Sequence, residues 1–215
     1  MVILQLALDV IRIDKALEIA KKTEKYVDWI EAGTPLIKSC GIGVVTQLKE
    51  TFKQKKIVAD MKIMDTGGLE VSIAAEAGAD VVTVMAAADL RTIEAAINAG
   101  NRYGVDIVVD AMGVSSQRFK EVEALSPSYL CVHAGIDQQM AGVSVIEALK
   151  VLKTKIPLEV GGGLNKFTVS AAVKKGAQVI IVGGAITGAD DPAKAASDIR
   201  QAIDIATHDN SKSVP

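Results

Sequence analysis

Aromatic residues make up only 3% of this 215-residue chain: one Trp, three Tyr and three Phe. Cysteine and histidine number two each. Cys40 and Cys131 cannot build a disulfide framework, and with the two histidines they form no pattern of zinc ligands. A disulfide-stapled secreted scaffold is thereby excluded, and a reducing cytoplasm is the expected compartment. A charge excess of one sign is also missing. The chain has 24 Lys+Arg against 26 Asp+Glu, a net charge of -2, and no basic stripe. Nucleic-acid binding therefore has little electrostatic support. The start, Met1 to Gln5, lacks the charged region of a signal peptide. The longest apolar runs contain Asp or Gly and fall short of a membrane span, so no membrane partner is expected.

What is abundant is Ala, Val, Ile and Gly, within a hydrophobic content of 49%. Small and β-branched residues suit parallel strands buried on both faces. Eight short apolar stretches recur: Ile3–Asp9, Val27–Glu31, Ile57–Lys62, Val81–Met85, Ile107–Ala111, Tyr129–His133, Leu158–Val160 and Val179–Val182. Helical spacing fills the gaps, predicting helices near Ile13–Lys22, Gly43–Phe52, Leu69–Ala77, Leu90–Ala99, Gln117–Leu125, Ser144–Leu152, Lys166–Lys175 and Pro192–Ala206. Eight alternations favour closure into a single-domain (β/α)8 TIM barrel over a doubly wound open sheet, which usually has fewer strands. The barrel is expected over residues 1–207, with 208–215 as a flexible polar tail.

In such barrels the strand C-termini converge on one mouth, where the chemistry sits. The residues ending these stretches, with Thr83 for the fourth, are therefore candidate site residues. Asp60 and Lys62 alternate onto one face of the third strand, each favouring the other's charged form. Asp65 follows on the loop. A solvated charged turn is the competing reading. Glu31 and Asp60, ending adjacent strands, suit a hard cation such as Mg²⁺, with waters and substrate oxygens completing its shell. Alternatively, each carboxylate pairs with a lysine, and Lys62 is at hand. His133 ends the sixth strand, where a neutral imidazole suits proton transfer. Cys131, below it, reads as core. Gly161-Gly162-Gly163 and Gly183-Gly184 follow the seventh and eighth strands, the slots in which barrels bind phosphate with backbone N–H groups. Tight turns alone would also use such glycines. Asp110, Thr34 and Gln138 are further candidates for orienting substrate, and Trp29 reads as core.

Five segments carry a resemblance over nearly the whole chain: Leu6-Ala7-Leu8-Asp9, Glu31-Ala32-Gly33-Thr34-Pro35, Ala59-Asp60-Met61-Lys62-Ile63-Met64-Asp65, Cys131-Val132-His133-Ala134-Gly135 and Val182-Gly183-Gly184-Ala185-Ile186. They resemble the 3-hexulose-6-phosphate synthase family, within the orotidine 5'-monophosphate decarboxylase group. The D-x-K-x-x-D element is specific to that group but does not separate its members. The resemblance implies an aldol condensation of formaldehyde with the phosphorylated ketopentose D-ribulose 5-phosphate. The reaction runs through a metal-stabilised enediolate and uses Mg²⁺ or Mn²⁺. It implies Glu31 and Asp60 as metal ligands, Lys62 beside the enediolate and His133 as proton carrier. Asp9 and Asp110 would position substrate, with Gly162, Gly163, Gly183 and Gly184 around the phosphate. It further implies a homodimer with shared active sites, in which Asp65 reaches the partner's site. The related 3-keto-L-gulonate-6-phosphate decarboxylase is the alternative. Against it, Ile136 and Gly184 stand where that enzyme has arginines.

Overall fold

The computed structural model describes residues 1–149 and 153–211. Eight parallel strands close into one barrel in sequence order. They are β1 (Ile3–Leu8), β2 (Trp29–Ala32), β3 (Lys56–Ile63), β4 (Val81–Met85), β5 (Asp106–Asp110), β6 (Tyr129–His133), β7 (Leu158–Gly161) and β8 (Val179–Val182). Eleven helical segments lie between and after them among the described residues. The chain is a (β/α)8 TIM barrel of one domain, as the alternation predicts.

The strands are apolar on both faces because both are covered. One set of side chains, including Leu4, Leu6, Ile30, Ile57, Val82 and Val109, faces the surrounding helices. The alternate set points inward, where Trp29, Val58, Val81, Val108, Cys131 and Val179 pack with Ile3, Tyr129 and Ile181. Trp29 meets Tyr129 edge-on, ring centroids 5.6 Å apart. Trp29 and Cys131 are thus core, as expected.

The helices are amphipathic and fasten to the sheet by their small or branched residues. α1 (Ile13–Thr23) buries Ala16, Ile19, Ala20 and Thr23, one stripe at helical spacing. The second connection holds two helices where one was expected. Thr34–Cys40 forms α2, with Pro35 in its first turn, and α3 covers Gly43–Thr51. Proline is tolerated in a first turn because its missing N–H has no partner there anyway. α4 (Gly67–Glu76) starts two residues before the expected Leu69, taking the glycine pair into its first turn. α5 (Leu90–Tyr103) is capped by the Asp89 carboxylate, which accepts from Arg91 N at 2.9 Å. α6 covers Ser116–Glu123.

The connection after β6 departs from expectation. Instead of one helix from Ser144, it holds α7 (Ile136–Met140) and α8 (Val145–Ala148). Within α8 only Val145 is buried, so a single turn satisfies the core. The end of the expected helix, 150–152, lies outside the described residues. α9 (Val169–Lys174) follows β7, and α10 (Gly184–Thr187) is a single turn after β8. α11 runs Pro192–Ser211, past the expected end at Ala206. Residues 208–211 are therefore helical rather than tail. Burial of Ile203 and Ala206, and a bond from Asn210 Nδ2 to Val173 O at 3.2 Å, hold that last stretch. Residues 212–215 lie outside the described residues. No helix among the described residues is long and apolar enough to cross a membrane.

Candidate active site

The mouth at the strand C-termini is lined by Asp9, Glu31, Asp60, Thr83, Asp110 and His133, and all but Asp9 and His133 are buried. Three buried carboxylates, with Asp9 at their edge, repel one another, so their partners decide what each can do.

β3 is not a regular strand where its charged pair lies. Its pairing with β4 runs from Ala59↔Val82 to Ile63↔Val84, so extra residues bulge out between them. Lys62, inside the bulge, has φ 46°, in the left-handed region that a side chain disfavours. Such a conformation costs of order 1–3 kcal/mol and persists where the surroundings impose it. Here Thr83 Oγ1 accepts the Lys62 backbone N–H at 3.0 Å. The bulge re-aims the side chain, as bulges near active sites do. Lys62 Nζ reaches Asp60 Oδ1 and Oδ2 at 2.9 and 2.8 Å and Asp110 Oδ2 at 3.5 Å. Burial works against the ammonium, but Asp60 and Asp110 outweigh it and raise the Lys62 pKa above its ordinary value. Lys62 is a fixed cation.

Asp60 is held from two further sides. The Thr83 hydroxyl donates to Oδ1 at 2.8 Å. The Thr34 hydroxyl lies 2.6 Å from Oδ2 and 2.7 Å from the Asp60 carbonyl. Thr34 therefore anchors Asp60 in this structure. Asp110 completes the row. Its Oδ2 lies 2.9 Å from His133 Nδ1, and its Oδ1 accepts Met112 N–H at 2.9 Å. Burial opposes ionisation of Asp110, yet the hydrogen bond from His133 and the charges of His133 and Lys62 prevail and lower its pKa. An ionised carboxylate only accepts, so Nδ1 carries a proton toward Asp110, and in the neutral form of the imidazole the lone pair lies on Nε2.

Glu31 and Asp9 are differently placed. Lys62 spends its ammonium on Asp60 and Asp110, leaving Glu31 with the Gln5 amide, whose Nε2 donates to Oε2 at 2.6 Å. Burial, then the charges of Asp60 and Asp9, push the Glu31 carboxyl well above its ordinary range. Asp9 is raised by desolvation and by Asp60. Its carboxylate nests against the loops after β2 and β8. A Cβ on Gly33 would stand 2.2 Å from Oδ1, and one on Gly183 would stand 3.4 Å from Oδ2. Gly33 is therefore required for Asp9 to occupy its position.

The two glycine turns lie at the ends of β7 and β8. Gly162 has φ 103°, and a Cβ there would strike Ala134 O at 2.2 Å, so no other residue fits. Gly163 has φ 68°, and a Cβ on Gly184 would meet nothing within 4 Å. The space above Gly184 is open.

The structure thus brings Asp9, Glu31, Asp60, Lys62, Asp110 and His133 to one mouth. Asp65 stands apart. It is exposed on the loop and accepts its neighbour Thr66 N–H at 2.7 Å. Gln138 caps α7, accepting Gly135 N–H at 3.0 Å. Thr83, the candidate on the fourth strand, is a partner of Asp60, whereas sequence reasoning missed Gln5 and Glu159, both buried inside the barrel. A polar residue at an inward position of an otherwise apolar strand was the available signal for both.

Among the described residues no three His, Cys, Asp or Glu side chains are arranged as a metal cage. The donor set nonetheless suits a divalent cation that keeps waters and substrate oxygens. Mg²⁺ is commonly held by only one or two carboxylates. Glu31, buried among anions and without an ion pair among the described residues, is the group such a charge would relieve. Asp60 would meet the cation by yielding part of its contact with Lys62.

Comparison with known proteins agrees with this geometry. The profile of the orotidine 5'-phosphate decarboxylase / HUMPS family matches residues 3–199. A 3-hexulose-6-phosphate synthase of Mycobacterium gastri is 43% identical over 93% of this chain and 99% of its own length. The crystal structure of 3-hexulose-6-phosphate synthase from Salmonella typhimurium superposes with a TM-score of 0.90 at 38% identity, covering 95% of this chain and 99% of that one. A 3-keto-L-gulonate-6-phosphate decarboxylase structure from Vibrio cholerae is more distant, with a TM-score of 0.84 at 28% identity over 95% of this chain and 98% of that one.

Proposed function

The chain belongs to the orotidine 5'-phosphate decarboxylase / HUMPS family, and from that premise we propose that it is a 3-hexulose-6-phosphate synthase, joining formaldehyde to D-ribulose 5-phosphate. The observation that carries the reading is the continuous row Asp60–Lys62–Asp110–His133, which pairs a fixed cation with an imidazole whose Nε2 is free to take a proton. The relatives at 38–43% identity named for this activity support it.

The steps follow from the residues. His133 Nε2 takes the proton from C1 of the ketose, with Asp110 steadying the imidazolium that forms. Lys62 faces the negative charge that develops on the sugar oxygens and needs no reorganisation to do so. The resulting enediolate carbon attacks the formaldehyde carbon, forming the new C–C bond. His133 returns its proton to the former aldehyde oxygen, which becomes the hydroxyl of the hexulose phosphate. Mg²⁺ or Mn²⁺ held by Glu31 and Asp60 would supply further charge stabilisation at those oxygens. Asp9, between the turns at Gly33 and Gly183, would receive a sugar hydroxyl. Backbone amides of the turns at Gly162, Gly163, Gly183 and Gly184 would cradle the phosphate.

We also propose that the working unit is a homodimer whose sites are shared. Asp65 is exposed on the loop and bonds to none of its own cluster, and exposed apolar residues lie nearby in sequence: Met64, Leu69 and Ile73. A neighbouring subunit would cover them. Mixing Asp65→Ala and Lys62→Ala proteins tests this. Recovery of activity in mixed dimers supports shared sites, and none refutes them.

The decisive assay incubates the protein with ribulose 5-phosphate, formaldehyde and Mg²⁺, with and without chelator. Chelator-sensitive loss of formaldehyde is expected. Release of CO2 from 3-keto-L-gulonate 6-phosphate without formaldehyde consumption would overturn the assignment in favour of the decarboxylase.

A further inference from the structure

Two buried side-chain atoms among the described residues have no hydrogen-bond partner, Gln5 Oε1 and Glu159 Oε1. Both belong to the barrel interior. Gln5 on β1 pairs in register with Trp29, and Glu159 on β7 pairs with Cys131 and Val179. Those three partners are members of the inward-facing cluster, and paired residues share a face. One strand, β8, separates the two. Its Ile181 is the partner of Gln5 on one side and of Gly161 on the other. Tilted barrel strands climb by about one residue per strand at a shear of about 8. Two strands away, the residue level with Gln5 is therefore Glu159 rather than Gly161. Gln5 and Glu159 are neighbours in one layer of four alternate-strand side chains, completed by Val58 and Val108.

Two buried acceptor atoms that share a layer with two valines and have no donor are a contradiction unless a proton lies between them. An unsatisfied buried polar group is costly, and among the described residues no cation acts on Glu159 to relieve it. The charged groups facing Glu159 from the surrounding strands are anionic: Asp106 and Asp110 on β5 and Asp60 on β3. Cys131 and Tyr129 on β6 also feel Glu159 and carry no positive charge. At the barrel floor, Lys56 Nζ is committed to Asp106 at 2.9 Å.

We propose that Glu159 is a neutral carboxylic acid that donates its O–H to Gln5 Oε1, and that this bond fixes the Gln5 amide with Nε2 toward Glu31. Burial, followed by the fields of Asp110, Asp106 and Asp60, raises the Glu159 pKa to about 8, which agrees with a proton retained near neutrality. The hydrogen-bond order then runs Glu159 O–H to Gln5 Oε1, and Gln5 Nε2 to Glu31 Oε2. The amide cannot flip without turning its NH2 against the acid proton of Glu159. Glu159 is thus a positioning residue beneath the mouth, acting on Glu31 through Gln5. Its consequence for metal binding rests on the reading of Glu31 as a metal ligand, whereas the hydrogen-bond chain itself does not.

The test uses the full chain with Glu159→Gln and Glu159→Leu. The amide of the first can still donate to Gln5 Oε1, and the leucine cannot. Infrared difference spectra at neutral pH, without metal or substrate, should show a protonated-carboxyl C=O band in the parent that Glu159→Gln removes. Absence of that band from the difference spectrum overturns the proposal whatever the enzyme's activity proves to be. Mn²⁺ titrations followed by electron paramagnetic resonance should give parental affinity for Glu159→Gln. Glu159→Leu should weaken it by about 10–100-fold, the usual cost of losing a group that orients a ligand. Equal Mn²⁺ affinity in the leucine variant would refute the coupling to Glu31. Should that variant fail to fold, the infrared comparison with Glu159→Gln still decides.

Discussion

Replacing Asp110 by Asn changes one oxygen to an NH2 and should disable the proposed base without reshaping the barrel. Asp110 Oδ1 accepts Met112 N–H at 2.9 Å, so the asparagine oxygen must stay on that side. Its NH2 then faces His133 Nδ1 and Lys62 Nζ, where the carboxylate oxygen stood at 2.9 and 3.5 Å. A donor now confronts the ammonium, and Nδ1 must become the acceptor. The imidazole proton moves to Nε2, the atom that is to take the substrate proton. General-base catalysis contributes about 10²–10⁴-fold, and each tenfold is about 1.36 kcal/mol of barrier. The expected fall in kcat is therefore about 10²–10⁴-fold, with KM for the sugar phosphate little changed. The mismatched donor adds about 1–3 kcal/mol of destabilisation. Steady-state formaldehyde consumption and urea denaturation measure the two effects. A variant whose kcat stays within a small factor of the parent's would refute His133 as the base oriented by Asp110.

Further outcomes follow from other contacts. Gly33→Ala puts a methyl 2.2 Å from Asp9 Oδ1 and 2.8 Å from Leu8 O, so the Asp9 side chain and the backbone of β1 must move. Sugar-phosphate KM should rise at least about tenfold, the equivalent of one lost hydrogen bond to a charged group; an unchanged KM would remove Asp9 from substrate binding. Arg200 on α11 donates to Val2 O at 3.0 Å and Tyr26 O at 3.2 Å and pairs with Asp28, tying the last helix to the barrel floor. Arg200→Leu should cost about 1–3 kcal/mol in denaturant unfolding while leaving kcat intact. Glu159 links stability to pH. Its folded pKa of about 8 lies above the ordinary Glu value, so the folded state holds the extra proton and stability declines as pH rises between them. Tm measured across that window should fall more steeply for the parent than for Glu159→Gln, and parallel curves would exclude a raised Glu159 pKa.

Legibility in the sequence followed from how local each signal was. Strands β4, β6 and β8 were placed to the residue because each is a compact, mostly β-branched or apolar run opened by a polar residue, Asp80, Ser128 or Gln178. The connection after β6 was not, because α7 buries no residue and α8 is defined by where Val145 and the following Leu149 find the core, not by an extended stripe. The end of α11 escaped for a similar reason. A polar segment continues as helix when Asn210 finds Val173 O on a neighbouring element.

At the mouth, the strand rhythm alone nominated Asp9, Glu31, Asp60, Thr83, Asp110 and His133, because parallel strands of a barrel end at one rim. The alternation Asp60-x-Lys62 also named the right pair, but by a different backbone: a bulge with Lys62 at φ 46° brings them together, not a regular pleat.

What the sequence by itself determined is the architecture and the cast of charged groups, since hydrophobic period and strand endings are properties of neighbours along the chain. What only the tertiary structure decided is how those groups are paired. Lys62 goes to Asp60 and Asp110, His133 to Asp110, and Glu31 to an amide rather than a cation. Protonation in a low-dielectric interior depends on distances across the barrel, between residues far apart in the chain, and those distances exist only once the barrel has closed.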